Sequence, residues 1–377
     1  MSTNYRICSK CILDTNDDSE IVFNEEGVCN YCLSYEETAK KNSLDDKEDI
    51  DRKLAELISM IKEAGKGQKY DCVLGVSGGV DSTYVAYKAK ELGLRPLIVH
   101  YDNGWNSELA VGNIEKTVKK LGIDLYTYVI DWEEFRDLQL SFLLASTPDG
   151  EIPTDHAINA LLFEQASKRN IKYIINGMNF KTESLSVPKW SYGHSDWKYI
   201  KNIHSQFGKV KLKNYPHFSL FDTFYFLFFK RIKLISILNY IDYNKDEVMG
   251  VLENELDWKY YGGKHYESVY TRFYQAYILP KKFNIDKRLG HLSDLIRSGN
   301  ITRSIALLEF NKSIADDSLL MSDKAFVMKK LCLDESAFEK IMTSQKKYFT
   351  DYPNNYNMIL LLKDILNRFR SKGIMSR

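Results

Sequence analysis

Two groups of residues in this sequence have the types and spacing that do chemistry. Cys8-x-x-Cys11 and Cys29-x-x-Cys32 are separated by seventeen residues. Each pair can grip one side of a tetrahedral ion, and Gly27 stands just before the second pair as a turn residue. This is zinc-ribbon spacing, with an iron–sulfur centre as the other occupant such a set accepts. Four thiolates leave no open coordination position, so the expected metal is structural rather than catalytic. The second group is Ser77-Gly78-Gly79-Val80-Asp81-Ser82. Its glycines let the backbone approach a ligand, and the first turn of a following helix presents amides and a positive dipole end to an anion. Ser77 and Ser82 add hydroxyl donors, and Asp81 is placed to reach a magnesium ion on phosphates. No Gly-Lys-Ser/Thr follows, so this is not a Walker A loop.

The elements that position this loop follow from hydrophobic patterning. Cys72–Val76 is a short apolar run bounded by glycine, as for a buried parallel strand. Val85, Ala86, Ala89 and Leu92 then fall at helical spacing, and Gly93 ends that helix. Strands are expected over Pro96–Tyr101, Leu125–Ile130 and Tyr173–Ile175. Helices are expected over Ser107–Leu121, from Trp132, and over Ala157–Lys168. Alternation of this kind implies an α/β fold, a doubly wound parallel sheet with helices on both faces. The chain divides into a zinc-ribbon module (1–40), a linker helix (41–67), a loop-bearing α/β domain (68–219) and a helical C-terminal region (220–377). Cys72 and Cys332, outside the pairs, read as buried hydrophobes.

The 377 residues suffice for a full hydrophobic core. A net charge of +1 disfavours a dedicated nucleic-acid binder. The start is polar and cysteine-rich, unlike a signal peptide, and paired cysteines as metal ligands suit the reducing cytoplasm. The most apolar stretch, Phe218–Ile241, is interrupted by Asp222, Lys230, Arg231 and Lys233. Cations in its middle make a membrane span costly. Buried helices are the expected outcome, a membrane-surface segment the other reading. Tyr225, Phe228, Tyr260, Tyr261 and Tyr274 are either core or a partner-docking face.

The Ser77–Ser82 segment resembles the SGGxDS signature of the ATP-pyrophosphatase (PP-loop) superfamily, whose fold is HUP-like. The resemblance implies cleavage between the α and β phosphates, with AMP passing to the substrate. It places Val76, Ser77, Gly78, Gly79, Asp81 and Ser82 on the nucleotide, together with His100 and Asp102 after the second strand and Gly177 after the fourth. Further segments occur in order: Ile152-Pro153-Thr154-Asp155-His156-Ala157, Asn176-Gly177-Met178-Asn179, Thr182-Glu183-Ser184, the run Tyr261 to Ser268, Thr271-Arg272-Phe273 and Asp286-Lys287-Arg288. With the zinc ribbon, they make nearly the whole chain similar to the N-acetyl sugar amidotransferases of bacterial surface-polysaccharide biosynthesis.

That family resemblance implies adenylation of the oxygen of a sugar N-acetyl group and replacement by ammonia, giving an acetamidino sugar for O-antigen, lipopolysaccharide or related glycans. ATP, Mg2+ and Zn2+ are the implied cofactors. Lys264, Arg272 and Arg288 are cations suited to the triphosphate and the departing pyrophosphate. Glu267, three residues from Lys264, could hold ammonia or accept its proton. Asp155 and His156 could touch the sugar or cap their helix, and Asn179 and Glu183 are further substrate candidates. The chain shows no glutaminase context, so the implied partners are a separate glutaminase with a cyclase-like channel protein, and an N-acetylated, nucleotide-linked sugar. Nucleic acid and a transmembrane segment are not expected. A tRNA-thiolating PP-loop enzyme and a silent ATP-binding scaffold remain the competing readings.

Overall fold

The structure, a computed structural model, describes residues 5–16, 18, 20–41, 46–185, 187–263 and 266–362. Two helices, α1 (Asn30–Lys41) and α2 (Lys47–Ala64), precede the sheet. Then follow β1 (Cys72–Gly75), α3 (Val80–Glu91), β2 (Pro96–Asp102), α4 (Glu108–Leu121), β3 (Asp124–Val129), α5 (Trp132–Ala145), α6 (Ile152–Lys168) and β4 (Tyr173–Asn176). Past the short α7 (Phe180–Glu183) come α8 (Trp197–Phe207), α9 (Leu220–Phe224), β5 (Lys233–Ser236) and α10 (Lys245–Leu256). The rest is helical: α11 (Val269–Phe273), α12 (Lys287–Arg297), α13 (Arg303–Phe310), α14 (Asp317–Leu331) and α15 (Glu335–Thr343).

All strand pairings within the sheet are parallel, in the order β3-β2-β1-β4-β5. The two-residue period of a strand splits the core in two. Val73, Leu97, Val99 and Ile174 join α5 and α6 on one face. Cys72, Leu74, Ile98 and Ile175 join α2, α3, α4 and α10 on the other. The sheet is therefore doubly wound, as the alternating pattern predicts. Chain order reverses direction between β1 and β4, and in such sheets the crevice beyond the carboxyl ends at that switch receives the ligand. Residues 76–82 and 177–179 leave β1 and β4 at that place.

The structure corrects the reading after residue 220. The stretch Phe218–Ile241 is not a pair of buried helices. It holds α9, one turn of π-helix over Tyr225–Phe229 with exposed aromatics, and β5 at the sheet edge. A four-residue edge strand is too short to show a period in sequence. Ile232 and Ile237 flank it in the core, and the exposed face of Phe221–Phe229 is what gave the stretch its misleading apolarity. Cys332 is likewise exposed, capping α14 in the left-handed region at φ 56°, whereas Cys72 is buried. Of the five aromatics set apart, Tyr274 is core, while Tyr225, Phe228 and Tyr260 are exposed.

Candidate active site

The loop after β1 is held in shape from behind. Gly78 has φ +81°, and a Cβ there would lie 2.4 Å from the Ala110 carbonyl oxygen, so only glycine fits. Its own carbonyl accepts from Trp258 Nε1 at 3.0 Å. The Ser77 amide donates to Ser82 Oγ at 3.2 Å, and the two hydroxyls are 3.2 Å apart. Val76 is buried and its amide donates to the Val99 carbonyl at 3.1 Å, which carries the ladder one residue past β1. Gly177 closes from β4: a Cβ on it would meet Asp81 and Ser82 backbone atoms at 3.3 Å.

In front of the loop is a cavity of about 530 Å³. Ser77, Gly79, Val80, Asp81, Ser82 and Gly177 line it, as do Glu183 and Glu267. The Val80 amide, at the first turn of α3, donates to the Tyr261 hydroxyl at 3.2 Å, an oxygen standing where an anionic oxygen would be bound. Tyr243 donates its hydroxyl to Asp81 Oδ1. Burial and then the Asp81 charge hold that phenol far above its usual range, so it remains a donor. Burial and then Glu267 do the same for Tyr261. Glu267 is placed by the loop after β2: the Ser107 amide donates to its carbonyl at 2.8 Å and the Val269 amide to Trp105 at 2.9 Å.

The opposite wall was not legible in the sequence. Tyr243, Asn244, Lys245 and Asp246 open α10, with Asn244 capping the helix through the amides of Asp246 and Glu247. A second helix N-terminus and a lysine thus face the same space as α3, a combination that favours polyanions. His291 and Leu295 of α12, with Asn300 and Ile301, complete the wall. An Asn cap directly before a first turn holding Asp246 and Glu247 was the available signal at α10, but nothing local said that it would meet residue 81.

Several predicted site residues lie elsewhere. His156 is fully buried in α6, stacked on Phe218 at 4.5 Å and Trp197 at 5.9 Å. Its Nδ1–H donates to the His194 carbonyl at 3.0 Å, and its Nε2 accepts from the Phe218 amide at 3.3 Å. Burial pushes its pKa down to about 4. It is a satisfied core histidine rather than a sugar contact. Asp155, one residue away, pairs with His194 at 3.4 Å. Arg272 forks onto Asp323 with two 2.7 Å bonds under the Tyr266 ring, and Arg288 is bonded to Asp286 and the Lys312 carbonyl. Neither arginine lines the cavity. His100 stands behind the loop, its Nδ1–H on the Val76 carbonyl at 3.0 Å, with burial lowering its pKa. Asp102 accepts from the Gly104 amide and Asn179 caps α7, and neither lines the cavity. Lys264 falls outside the described residues.

Cys8, Cys11, Cys29 and Cys32 are fully buried, with all four sulfurs within 4.8 Å of one another. A tetrahedron of Zn–S bonds of about 2.3 Å has sulfurs about 3.8 Å apart. Here Cys11–Cys29 is 3.7 Å and Cys8–Cys32 is 3.9 Å, so the set fits zinc. Arg303 bonds the carbonyls of Cys8 and Cys11, and Tyr35 stacks on Phe180 at 4.7 Å, which seats the module against α13 and α7.

Sheet order, switch-point loop and facing cavity together make a doubly wound α/β fold with a ligand crevice at the reversal of strand order. Residues 267–365 match the family described as LPS biosynthesis protein WbpG-like, C-terminal domain. Over that part the chain is similar to the WbpG-like lipopolysaccharide-biosynthesis proteins, in line with the family its motifs resemble. It is 24% identical over 320 residues to the uncharacterized protein MJ1599 of Methanocaldococcus jannaschii, covering 81% of this chain and 93% of that one. Among solved structures it is similar to the NMN synthetase of Francisella tularensis (16% identity, 56% of this chain, 84% of the other, TM-score 0.30). It is also similar to the NH3-dependent NAD synthetase of Campylobacter jejuni (14%, 80% and 99%, TM-score 0.32).

Proposed function

We propose that this chain is the synthetase subunit of an ATP-dependent amidotransferase that converts the N-acetyl group of a sugar to an acetamidine, releasing AMP and pyrophosphate. The carrying observation is that one cavity joins two identities. Its floor is the phosphate loop, and Glu267, His291, Leu295, Asn300 and Ile301 of its far wall all fall within the WbpG-like stretch 267–365. A polysaccharide-biosynthesis domain that walls a nucleotide loop fits activation of a sugar by that nucleotide.

In this reading the loop amides, Ser77, Ser82 and Lys245 bind the phosphates. Asp81, with Glu183 and Glu267 on the same cavity, would hold Mg2+, which supplies charge neutralisation on the phosphates when bound. Glu267 is also the group positioned to take a proton from incoming ammonia. An amide oxygen is a poor leaving group, and its adenylation converts it into AMP. Zinc held by the four cysteines is structural. Ammonia arrives from a separate glutaminase through a channel protein. The test is product analysis by phosphorus NMR with ATP, an N-acetyl sugar nucleotide and ammonium at alkaline pH. AMP and pyrophosphate are expected, with glutamine inert until a glutaminase is added. ADP and phosphate alone would overturn adenylation.

A further inference from the structure

Among the described residues no helix is long and apolar enough to cross a membrane. Even so, one surface carries more exposed aromatic area than a water-facing protein needs. Phe221 is 87% and Phe229 71% exposed, and Phe224, Tyr225 and Phe228 stand out beside them on α9 and the π-turn. The segment is well capped, with Ser219 and Asp222 forming a capping box, and Phe226 is stacked on Phe163 at 5.3 Å, while among the described residues the rings of Phe221, Phe224, Tyr225 and Phe229 stay exposed. Lys230, Arg231 and Lys233 follow directly, the latter two exposed.

A pocket of about 420 Å³ opens where this segment begins. Ser219 and Leu220 form one rim and Asn355 the other, while Lys198 and Lys201 of α8, one turn apart, supply positive charge, with Trp197 as an apolar wall. Asn355 is fixed there by two bonds to Asp196, at 2.6 and 2.9 Å. The helical residues 356–362 start at that rim and expose Met358 and Leu361. Two apolar segments therefore leave the edges of one cationic pocket.

We propose that this face docks the enzyme on an anionic membrane surface, with a phosphodiester headgroup in the Lys198/Lys201 pocket and the Phe221–Phe229 aromatics in the interfacial layer. Aromatic side chains beside lysine and arginine are what the headgroup boundary accepts, the ring reaching inward and the cation staying on the phosphates. A protein partner would match the rings but would not call for a cationic pocket large enough for a headgroup between them. The proposal is independent of the reaction assigned to the loop cavity.

The experiment floats the full-length chain with vesicles of phosphatidylcholine alone or mixed with phosphatidylglycerol. Flotation is expected only with the anionic lipid and should weaken as salt rises. Phe221→Ser/Phe229→Ser should lower vesicle affinity by about tenfold or more, and Lys198→Glu/Lys201→Glu should do so through charge, each adding roughly fivefold at physiological salt. Unfolding midpoints should match the parent, since the replaced side chains are exposed. The lysine pair keeps the test decisive should the phenylalanine variant misfold. No flotation with anionic vesicles overturns the proposal, as does flotation that neither double variant changes. A concentration-dependent dimer that only the phenylalanine variant dissolves would assign the face to a second copy instead.

Discussion

Residues 77–82 and 152–157 are both short segments at the start of a helix, and both read in sequence as places where a polar side chain could meet a ligand. In the structure they part company. The first opens α3 at the switch between β1 and β4, where the reversal of strand order leaves a crevice, and its hydroxyls and amides face a cavity. The second opens α6 against an aromatic cluster, where His156 has both ring nitrogens satisfied by backbone and no exposure. Polar residues of the same kind become a site or a core depending on what the topology puts in front of them.

The contrast can be broken by substitution. Asp81→Ala should reduce turnover by about two orders of magnitude or more, in line with loss of a metal-supporting carboxylate, while changing unfolding free energy by only about 1 kcal/mol. Steady-state rates beside urea titrations will show whether the two effects separate. His156→Ala should do the converse. It should cost about 3 kcal/mol through the cavity it leaves among Trp197, Tyr215 and Phe218, with the rate of the folded protein nearly unchanged at low temperature. A large rate loss at full stability would return His156 to the site.

A pH series sharpens the same point. His156 has a folded pKa of about 4, below the unfolded value near 6.5, so the unfolded chain binds its proton first. Its contribution is present above pH 6.5 and declines as pH falls toward 4, by up to roughly 3 kcal/mol. Asp149, pushed up to about 6 by burial, runs the other way, gaining stability as pH falls through that range. The His156 slope is therefore read as the difference between the parent and His156→Gln in urea melts at pH 7 and pH 5, and that difference should shrink at the lower pH.

Two smaller effects follow. Tyr243→Phe removes the hydroxyl that donates to Asp81 and should lower kcat/KM about three- to tenfold, with Asp81 itself intact. Cys8→Ser should abolish the stoichiometric zinc, about one per chain by elemental analysis, and loosen the N-terminal module. Its effect on nucleotide affinity should stay within about twofold, because the residues that seat the module, Phe180 under Tyr35 and Arg303 on the Cys8 and Cys11 carbonyls, do not line the cavity. Calorimetric ATP titration of that variant checks it.

The sequence by itself determined what is local. Strand runs, their helices, the glycine-rich loop and the spacing within each cysteine pair are local patterns, and four of the five strands were legible on that basis. Tertiary structure decided the rest. It made β5, a four-residue edge strand whose identity depends on pairing with β4. It brought Tyr243 to Asp81 and Tyr261 to Val80 across separations of 162 and 181 residues, which no window of local pattern contains. It also consumed Arg272 in an ion pair with Asp323, 51 residues away, because a cation in a half-buried setting is stabilised by the nearest carboxylate, and its number in the chain does not say which carboxylate that will be.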